Sequence, residues 1–432
     1  MLEMRKMKDS GIEWIGEIPE GWEIVPVRSC FDEVRTKNTD GQEQNALQFK
    51  SGNIISKTNF NASMDDYVAD TITNYTVVLP DTVMINGLNL NYDFKSLRVA
   101  LVKEKGVITS AYLAIFPDRK KISPQYATYL FKGYETKMAF HNMGAGIRKT
   151  LGYKEFKNQP LLLPSEKEQN KISAYLDSKC SHIDIMLSKI RSSIEEYKKL
   201  KQAVITQAVT KGVRGEREMK DSGVEWIGEI PKEWVIQKIK SISSRINVGV
   251  VIRPSEYFDE NGTVPFLRGI NVKEYLISSD NMVYINESSN RILSKSQVHT
   301  DDILIVRDGS IGTSCVVPAE FDGANVVSMV IATPSISCDS RFICYSLNSD
   351  VGKTQFTLTK IGSALTHTSV SAVSDIIVAV PSCAEQKEIA DYLDAKCVEI
   401  DGLIAKKEQL VKELESYKKS LIYEVVTGKR EV

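Results

Sequence analysis

Basic and amide side chains occur together in stretches of the chain that are rich in glycine and asparagine. Arginine and lysine match guanine O6 and N7, asparagine matches adenine N6 and N7, and loop hydroxyls suit phosphates. Solvated turn residues have a similar composition, so each candidate by itself is equally compatible with an ordinary loop. The candidates for contacts with DNA are Lys50, Asn53, Asn86, Arg98, Arg148, Lys149, Arg268, Asn271, Arg307, Ser363 and His367.

Known catalytic motifs are incomplete or missing. GKT at 352–354 matches the end of a phosphate-binding loop, but the leading glycine of that motif would fall at Leu347. GAG at 144–146 begins a dinucleotide fingerprint, but Lys149 stands at its third glycine. The sequence contains neither the Asn-Pro-Pro-aromatic tetrapeptide of adenine methylation nor a Gly-x-Ser-x-Gly elbow. We therefore predict no catalytic residues.

The composition is that of a globular protein with balanced charge. Hydrophobic residues make up 42% of the 432 positions, and 55 basic residues stand against 56 acidic ones. This balance argues against non-specific coating of nucleic acid, but it allows a reader with small basic surfaces. Seven scattered cysteines and four distant histidines predict a reduced, cytoplasmic protein without a metal site. We expect no signal peptide and no membrane span, because no sufficiently long apolar run occurs.

The chain contains two internal sequence repeats, each present in two copies. MKDSGIEWIGEIP at 7–19 returns as MKDSGVEWIGEIP at 219–231, and PSEKEQNKISAYLDSKCSHID at 164–184 returns as PSCAEQKEIADYLDAKCVEID at 381–401. The inserts between these segments differ, which predicts one scaffold that reads two different things. Tryptophans in or beside the first segment could stack on bases, but we predict that they are packing anchors. These are Trp14, Trp22, Trp226 and Trp234.

The second repeated segment predicts a long helix in each copy. Ser165 and Ser382 each precede a glutamate by three positions, which is the spacing of a capping box. Gly212 and Gly428 stand where each helix would end with a left-handed residue. A continuous helix of about 45 residues would be about 65 Å long, and a kink after the Leu-Asp step would shorten it.

Apolar residues recur along both predicted helices at alternating spacings of four and three, with lysines interrupting at 201 and 407. Such a stripe favours pairing with another helix, and we predict that the two copies pair antiparallel. Two independent helices that pack on their own domains are the alternative. In the paired arrangement the second helix returns to the first domain and brings the termini close together. The stripe residues are Ile183, Leu187, Ile190, Ile194, Tyr197, Leu403, Leu410, Leu414, Tyr417 and Leu421.

The inserts predict mixed α and β structure, with strand-like runs separated by glycine, asparagine and aspartate. Weak sequence similarity links KSGNI (50–54) to RGINV (268–272), and DTVMIN (81–86) to DILIVR (302–307). We therefore predict an α+β fold with a pseudo-two-fold repeat, in which two similar mixed α/β domains are joined by two long antiparallel helices. The predicted segments are 1–20, 21–160, 161–213, 214–231, 232–378 and 379–432.

The repeated text also has a family signature. It comprises DSGIEWIGEIPEGWE (9–23) with its copy, EQNKISAYLDSKCSHID (168–184), EQKEIADYLDAKCVEID (385–401), FLRGINVKE (266–274) and VRDGSIGTSCVVP (306–318). In these segments the chain closely resembles the specificity subunit of type I restriction-modification systems. The resemblance covers the whole chain, including the duplicated order of its segments.

This resemblance implies a recognition role. The two inserts would be target-recognition domains, each reading half of an asymmetric, bipartite double-stranded DNA site, about one helical turn (~34 Å) or a little more apart. The helices would set the gap and dock two modification subunits, which bring S-adenosylmethionine and adenine-N6 methylation. Restriction subunits would bring ATP- and Mg-dependent translocation and cleavage. No cofactor would be bound by this chain, and base flipping would fall to the modification subunits.

Two other classes of protein remain as alternatives. A methyltransferase with its own specificity domain would need the cofactor loop and tetrapeptide that the sequence lacks. A protein that joins two non-DNA binding modules through a coiled coil would show no sequence preference in a salt-dependent gel shift, even with a methyltransferase partner present.

Overall fold

The computed structural model describes residues 5–50, 52–57, 72–94, 97–146, 149–360 and 367–432. Contacts divide the chain into two units, Met1–Arg191 with Gln409–Val432, and Ser192–Glu408. This division differs from the six predicted segments, because each long helix contributes one half to each unit.

In its described residues, the first unit combines short antiparallel strands with short helices and the beginning of a long one. Its strands are β1 (Met7–Asp9), β2 (Glu17–Pro19), β3 (Glu23–Pro26), β4 (Phe31–Glu33), β5 (Leu47–Lys50), β6 (Asn53–Ser56), β7 (Thr76–Val78), β8 (Val83–Ile85), β9 (Val99–Leu101), β10 (Gly106–Ile108), β11 (Leu113–Pro117) and β12 (Pro160–Leu163). Its helices are α1 (Pro124–Thr136), α2 (Ala139–Met143), α3 (Tyr153–Phe156) and α4 (Glu166–Lys211), with a 3₁₀ turn at Val27–Ser29.

The central sheet of the first unit has the order β4-β11-β8-β9, with antiparallel neighbours. Strand β8 is buried on both faces. Val83 and Ile85 belong to the main core, whereas Met84 belongs to a second apolar cluster on the other side. This separation follows from the two-residue period of a strand, which sends successive side chains to opposite faces. Strand β12 pairs with β3 and leads the chain into α4.

The second unit has the same construction. Its strands are β13 (Met219–Asp221), β14 (Glu229–Pro231), β15 (Val235–Lys238), β16 (Ser243–Val248), β17 (Val264–Leu267), β18 (Val272–Lys273), β19 (Leu276–Ile277), β20 (Val283–Ile285), β21 (Ile303–Val306), β22 (Ser314–Val316), β23 (Asn325–Val326), β24 (Met329–Pro334) and β25 (Ile377–Val380). Its helices are α5 (Glu287–Ile292), α6 (Ser340–Asn348), α7 (Asp350–Lys360), α8 (Val370–Ser374) and α9 (Cys383–Val426), with 3₁₀ turns at Ile239–Ser241, Pro254–Tyr257, Ser294–Ser296 and Ala319–Phe321.

The central sheet of the second unit, β16-β24-β21-β22, is antiparallel and repeats the arrangement of the first. Ile303 and Ile305 of β21 enter one core, and Leu304 and Val306 enter another on the opposite face. Strand β25 pairs with β15 and leads into α9, as β12 does into α4. The prediction that both inserts share one fold is confirmed.

Helices α4 and α9 run without interruption for 46 and 44 residues. Only half of each predicted capping box forms. Ser165 Oγ accepts the backbone N–H of Glu168 at 3.4 Å, and Ser382 Oγ accepts that of Glu385 at 3.4 Å. The glutamate side chains bond other groups, since Glu168 accepts Trp22 Nε1 at 2.9 Å and Glu385 accepts an Arg217 terminal nitrogen at 2.6 Å. Gly212 ends α4 with φ +78°, as predicted.

In the first unit the two long helices run antiparallel. Lys418 donates to both carboxylate oxygens of Asp184 at 2.6 and 2.7 Å, and Arg191 pairs with Glu415. The residue numbers of the partners decrease along α9 while they increase along α4, so the two helices run in opposite directions. The charged groups are partly exposed, so each pair contributes about 0–1 kcal/mol. Apolar side chains buried in the main core, such as Leu187 at 5% exposure, contribute about 1.5–3 kcal/mol each.

The second unit contains the equivalent helix pairing. Lys201 donates to both oxygens of Asp401 at 2.8 and 2.6 Å, and the ammonium of Lys407 lies 5.4 Å from the ring centre of Tyr197. The lysines that interrupt the apolar stripes therefore have partners on the other helix. Their long aliphatic stems can cover apolar surface while the charged ends remain near water.

The predicted stripe of α9 is wrong at two positions. Leu410 is 42% exposed and Tyr417 is 49% exposed, whereas Val411 packs against the core beside Leu414. The inward positions are one residue later than predicted, because Lys407 and Lys418 occupy places on the paired face. The other stripe residues are buried (Ile183, Leu187, Ile194, Leu421) or half-buried (Ile190, Tyr197, Leu403, Leu414).

The C-terminal end of α9 packs within the first unit, as the predicted chain course requires. Tyr423 Oη donates to the carbonyl of Trp14 at 2.7 Å. Gly428, with φ +71°, lies so close to Pro19 that an added Cβ would come within 2.3 Å of its ring. In the second unit the end of α4 contributes Ile205 to the core that holds Trp234.

The four tryptophans have different environments. Trp22 and Trp234 are buried, with 1% and 0% exposure, and Trp14 packs edge-to-face on Tyr134 at 4.7 Å. Trp226 is 38% exposed, so the prediction of a packing anchor is wrong there. Tyr129 on α1 and Tyr345 on α6 each donate a hydrogen bond to an aspartate of a long helix, so the two tyrosines are equivalent. By the same offset the counterpart of Tyr134 is Asp350, which offers Trp226 no aromatic ring to pack on.

Candidate nucleic-acid interface

Three loops of the first unit meet beyond the end of β8. They are the turn at 50–53, the loop at 86–98 and the segment at 144–150, and their described residues are called the first loop face. Gly52 lies against Leu97, where an added Cβ would stand 2.9 Å from the leucine Cβ. Leu90 N–H donates to the carbonyl of Lys149 at 3.2 Å. These contacts bring candidates from distant parts of the sequence into one cluster.

The second unit has a corresponding cluster beyond the end of β21. The turn at 268–271, the loop at 307–313 and residues 367–368 form this second loop face. An added Cβ on Gly269 would lie 3.5 Å from Val306, and Thr368 N–H donates to the carbonyl of Arg307 at 3.1 Å. Asp308 also pairs with His367 through a β-bridge. The two faces are therefore built at equivalent places on the same fold.

Most described candidates of the first unit lie on this surface. Lys50 and Asn53 are directly paired across the β5–β6 turn, and both are exposed. Lys149 is exposed as well, with φ +39°. Asn86 is half-buried, and its Oδ1 accepts the backbone N–H of Leu88 at 3.2 Å. Arg148 lies outside the described residues.

Arg98 is a correction. Its side chain is 1% exposed, so it is not available to DNA as predicted. One terminal nitrogen donates to the carbonyls of Asn86 and Leu88, both at 2.9 Å, and the other donates to the carbonyl of Asp93. The guanidinium thus holds the loop from inside. Its five fixed donors suit this task, because one buried group satisfies several otherwise unpaired carbonyls.

In the second unit the candidates are more enclosed. Arg307 is half-buried and donates through Nε to the carbonyl of Thr368 at 2.9 Å. His367 is half-buried, and so is Arg268, which donates to the carbonyl of Asn281. Ser363 lies outside the described residues. The basic side chains on the second loop face are therefore partly committed to bonds within the unit.

Asn271 is a second correction, since it is fully buried rather than available to DNA. Its amide donates to the carbonyls of Ser278 at 3.1 Å and Asp280 at 2.9 Å. Its Oδ1 accepts the N–H of Arg268 at 3.1 Å. The asparagine therefore shapes the turn that carries the arginine, which is a common use of this side chain in turns.

The predicted correspondence between 81–86 and 302–307, which contain the two central strands β8 and β21, is wrong by one residue. Asp81 and Asp301 both have positive φ, of 75° and 69°. Their N–H groups bond equivalent carbonyls on the neighbouring strand, those of Val102 at 2.9 Å and Val317 at 3.0 Å. Arg307 consequently corresponds to Gly87 and not to Asn86 as predicted from the sequence.

Two aromatic residues of the first loop face were not among the predicted candidates. Tyr92 is 72% exposed, and Phe94 is 56% exposed while its ring stacks on His141 at 5.1 Å. The sequence signal was present, because both follow the asparagine-rich stretch that begins at Asn86. Only the folded loop shows that they lie with the basic candidates.

Comparisons with known proteins agree with this architecture. Residues 231–414 match the family described as the type I restriction modification DNA specificity domain. Over 427 residues the chain is 25% identical to the protein named as the specificity subunit of type I restriction enzyme MjaX from Methanocaldococcus jannaschii, covering 96% of this chain and 95% of that one. The corresponding MjaVIII subunit is 24% identical, with 95% and 93% covered. Residues 231–414 are therefore a type I restriction-modification specificity domain by sequence, and nearly the whole chain is similar to specificity subunits of these systems.

Solved structures show the same fold. A chain from a structure on complex assembly and conformational transition of the type I R-M system has a TM-score of 0.72 at 14% identity, with 96% of this chain and 99% of that one covered. The HsdS subunit from Thermoanaerobacter tengcongensis has a TM-score of 0.52 at 15% identity, with 98% and 100% covered.

The description of the matched family names DNA specificity and no catalytic activity. Across the described ranges, we find no group of three or more histidine, cysteine, aspartate or glutamate side chains arranged to hold a metal ion. Of the helices in the described part of the chain, none has the length and apolar character needed to cross a membrane. The buried Cys180 and Cys397 have raised thiol pKa values, chiefly because burial disfavours the thiolate.

Glu135 provides a pH-dependent support beneath the first loop face. Its carboxylate on α1 accepts the backbone N–H of Arg98, and burial raises its pKa to about 7, against the lowering effect of that bond and of nearby cations. The folded state therefore binds the proton more tightly than the unfolded state does. The resulting stability is complete below the unfolded pKa of about 4.5 and is lost as the pH rises through 7.

Replacing Glu135 with glutamine is expected to remove this dependence, because the amide oxygen still accepts the N–H without carrying charge. Between pH 5 and pH 8 the native chain should lose about 2–3 kcal/mol more unfolding free energy than Glu135→Gln does. Urea denaturation of both proteins at the two pH values measures this difference. Equal losses would show that Glu135 is ionised throughout this range.

Proposed function

We propose that each unit of this specificity subunit reads one half of an asymmetric, bipartite site in double-stranded DNA through its loop face. The observation that carries this proposal is that the two faces have the same construction but different side chains. The first presents exposed Lys50, Asn53 and Lys149, whereas the second presents half-buried Arg307 and His367. Similar frames with different donors suit two different half-sites, because base identity is read by donor and acceptor pattern.

The paired long helices would set the distance between the half-sites and dock two modification subunits. A continuous helix of 46 residues is about 69 Å long, which is ample for both tasks. The modification subunits would supply S-adenosylmethionine and adenine-N6 methylation, and the restriction subunits ATP- and Mg-dependent translocation and cleavage. The specificity subunit would bind none of these cofactors and would act in the cytoplasm.

The proposal is tested by exchanging residues 21–160 for the equivalent domain of another family member. The exchanged chain is produced with its modification subunits, and methylated adenines are mapped in cellular DNA. We expect the first half of the recognised sequence to change, while the second half and the gap remain. The reciprocal exchange of 232–378 is the matched control and should change only the second half.

Two results would contradict this assignment. If one exchange altered both halves, the units would not read DNA independently. If the complex with its modification subunits had no sequence preference in methylation or in a salt-dependent gel shift, the chain would join partners without reading DNA.

A further inference from the structure

Residues 86–94 of the first loop face contain a tight turn. Asn89 adopts φ +53°, and its carbonyl accepts the N–H groups of Tyr92 at 3.1 Å and Asp93 at 3.0 Å. Asparagine tolerates this left-handed conformation better than other side chains that carry a Cβ. Leu90 beside it is 1% exposed and anchors the turn in the main core. The tight turn therefore fixes the backbone from which Tyr92 projects.

Two further side chains support this loop. Arg98 bonds three of its carbonyls from inside, and His141 on α2 contacts the Asp93 carbonyl through Nε2 at 3.1 Å. The His141 ring also stacks on Phe94, with an interplanar angle of 13°. Burying an arginine is costly unless its bonds are made. The first unit thus uses a buried cation and a stacked pair to present Tyr92, whose own side chain is 72% exposed.

Cations without acidic partners surround this loop. The carbonyl of Lys149 accepts the N–H of Leu90, and Lys50 lies on the turn whose Gly52 contacts Leu97. Both lysines are exposed, and neither makes an ion pair with any of the residues that the structure describes. An exposed ring on a loop that contacts two lysine-bearing segments has the chemistry of a DNA-binding surface, in which lysines meet phosphates and the ring meets the edges of bases. A hydrophobic protein partner would not require these charges.

We propose that Tyr92 is a specificity-determining residue of the first half-site, where its ring makes apolar contact with a base. This inference rests on the proposed function and adds a mode of reading to it. The described residues of the second loop face include no phenylalanine, tyrosine or tryptophan. The first unit therefore reads one position by ring contact, as apolar side chains read the thymine methyl group, whereas the second unit relies on polar groups.

The test compares Tyr92→Ala with Tyr92→Phe in complexes that contain the modification subunits. Affinity is measured on duplexes that carry the methylation-mapped site and on duplexes altered at each position of the first half-site. Tyr92→Phe should remain within about twofold of the native affinity. Tyr92→Ala should lose about 10–100-fold, because a specific base contact is worth roughly 1–3 kcal/mol, and should relax one position of the first half-site. Tyr284→Ala, at a tyrosine 41% exposed in the second unit, is the control and should leave that position unchanged.

Each alternative gives a different result. An unchanged affinity and motif for Tyr92→Ala would overturn the inference, and so would a loss in Tyr92→Phe equal to that in Tyr92→Ala, since the hydroxyl would then be the reader. Failure of Tyr92→Ala to assemble with the modification subunits would assign the ring to a protein contact instead. The thermal midpoint should be unchanged, because the side chain is mostly exposed. If the exchange of 21–160 alters the first half-site while Tyr92→Ala is silent, only the Tyr92 inference fails.

Discussion

Replacing Trp22 with alanine is expected to lower the free energy of unfolding of the first unit by about 3–5 kcal/mol, the usual cost of truncating a buried tryptophan. Trp22 is 1% exposed in the main core, and its Nε1 donates to Glu168 at 2.9 Å. The substitution opens a cavity and removes a bond to the start of α4. Urea denaturation gives the magnitude, and peptide-resolved hydrogen exchange locates the loss in the first unit.

The matched control is Trp226→Ala. This tryptophan belongs to the repeated text, but it is 38% exposed and outside the buried cores. Its truncation should change the unfolding free energy by no more than about 0.5 kcal/mol. Equal losses in the two variants would mean that Trp226 is covered in the folded chain, contrary to its exposure.

Replacing Arg98 with leucine is expected to cost about 3–5 kcal/mol and to abolish reading of the first half-site. The change leaves the carbonyls of Asn86, Leu88 and Asp93 without their buried donor, and uncompensated buried groups of this kind carry such penalties. The first loop face then loses its shape. Affinity of the complex for its site should fall by at least about two orders of magnitude, since each lost base contact costs roughly 1–3 kcal/mol.

Arg35→Leu is the control for this change. It removes an arginine from the same unit, but that side chain is 80% exposed and its ion pair is with Glu33 on the surface. Its loss should be close to neutral for unfolding and for the recognised sequence. If Arg98→Leu reduced affinity without loosening the loop in hydrogen exchange, Arg98 would act on DNA directly, contrary to its burial.

The local elements were predictable because their signals lie close together in the sequence. The capping serines, the apolar spacings and the terminal glycines identified both long helices, and strand-like runs identified β8 and β21. The phase of the α9 stripe was not predictable at Leu410 and Tyr417. Its inward face is selected by residues of α4 more than 200 positions away, such as Asp184 and its partner Lys418.

The candidate site was only partly predictable. Arginine in a polar loop has the same appearance whether it faces DNA or fills the loop, and Arg98 does the latter. Asn271 similarly binds carbonyls seven and nine residues away. Tyr92 had no periodic pattern to mark it, and its exposure depends on Leu90, Arg98 and His141 together.

The sequence by itself determined the duplicated architecture, the antiparallel helix pair and the family, because repeats, periodicity and caps are properties of neighbouring residues. The tertiary structure alone decided which polar side chains are free to meet a ligand. That choice depends on burial and on bonds to distant carbonyls, and it differs between two units that share one fold. Trp14 and Trp226 occupy the same place in near-identical text, yet Trp14 packs on Tyr134 and Trp226 is 38% exposed, since packing partners are supplied by the parts of the chain that do not repeat.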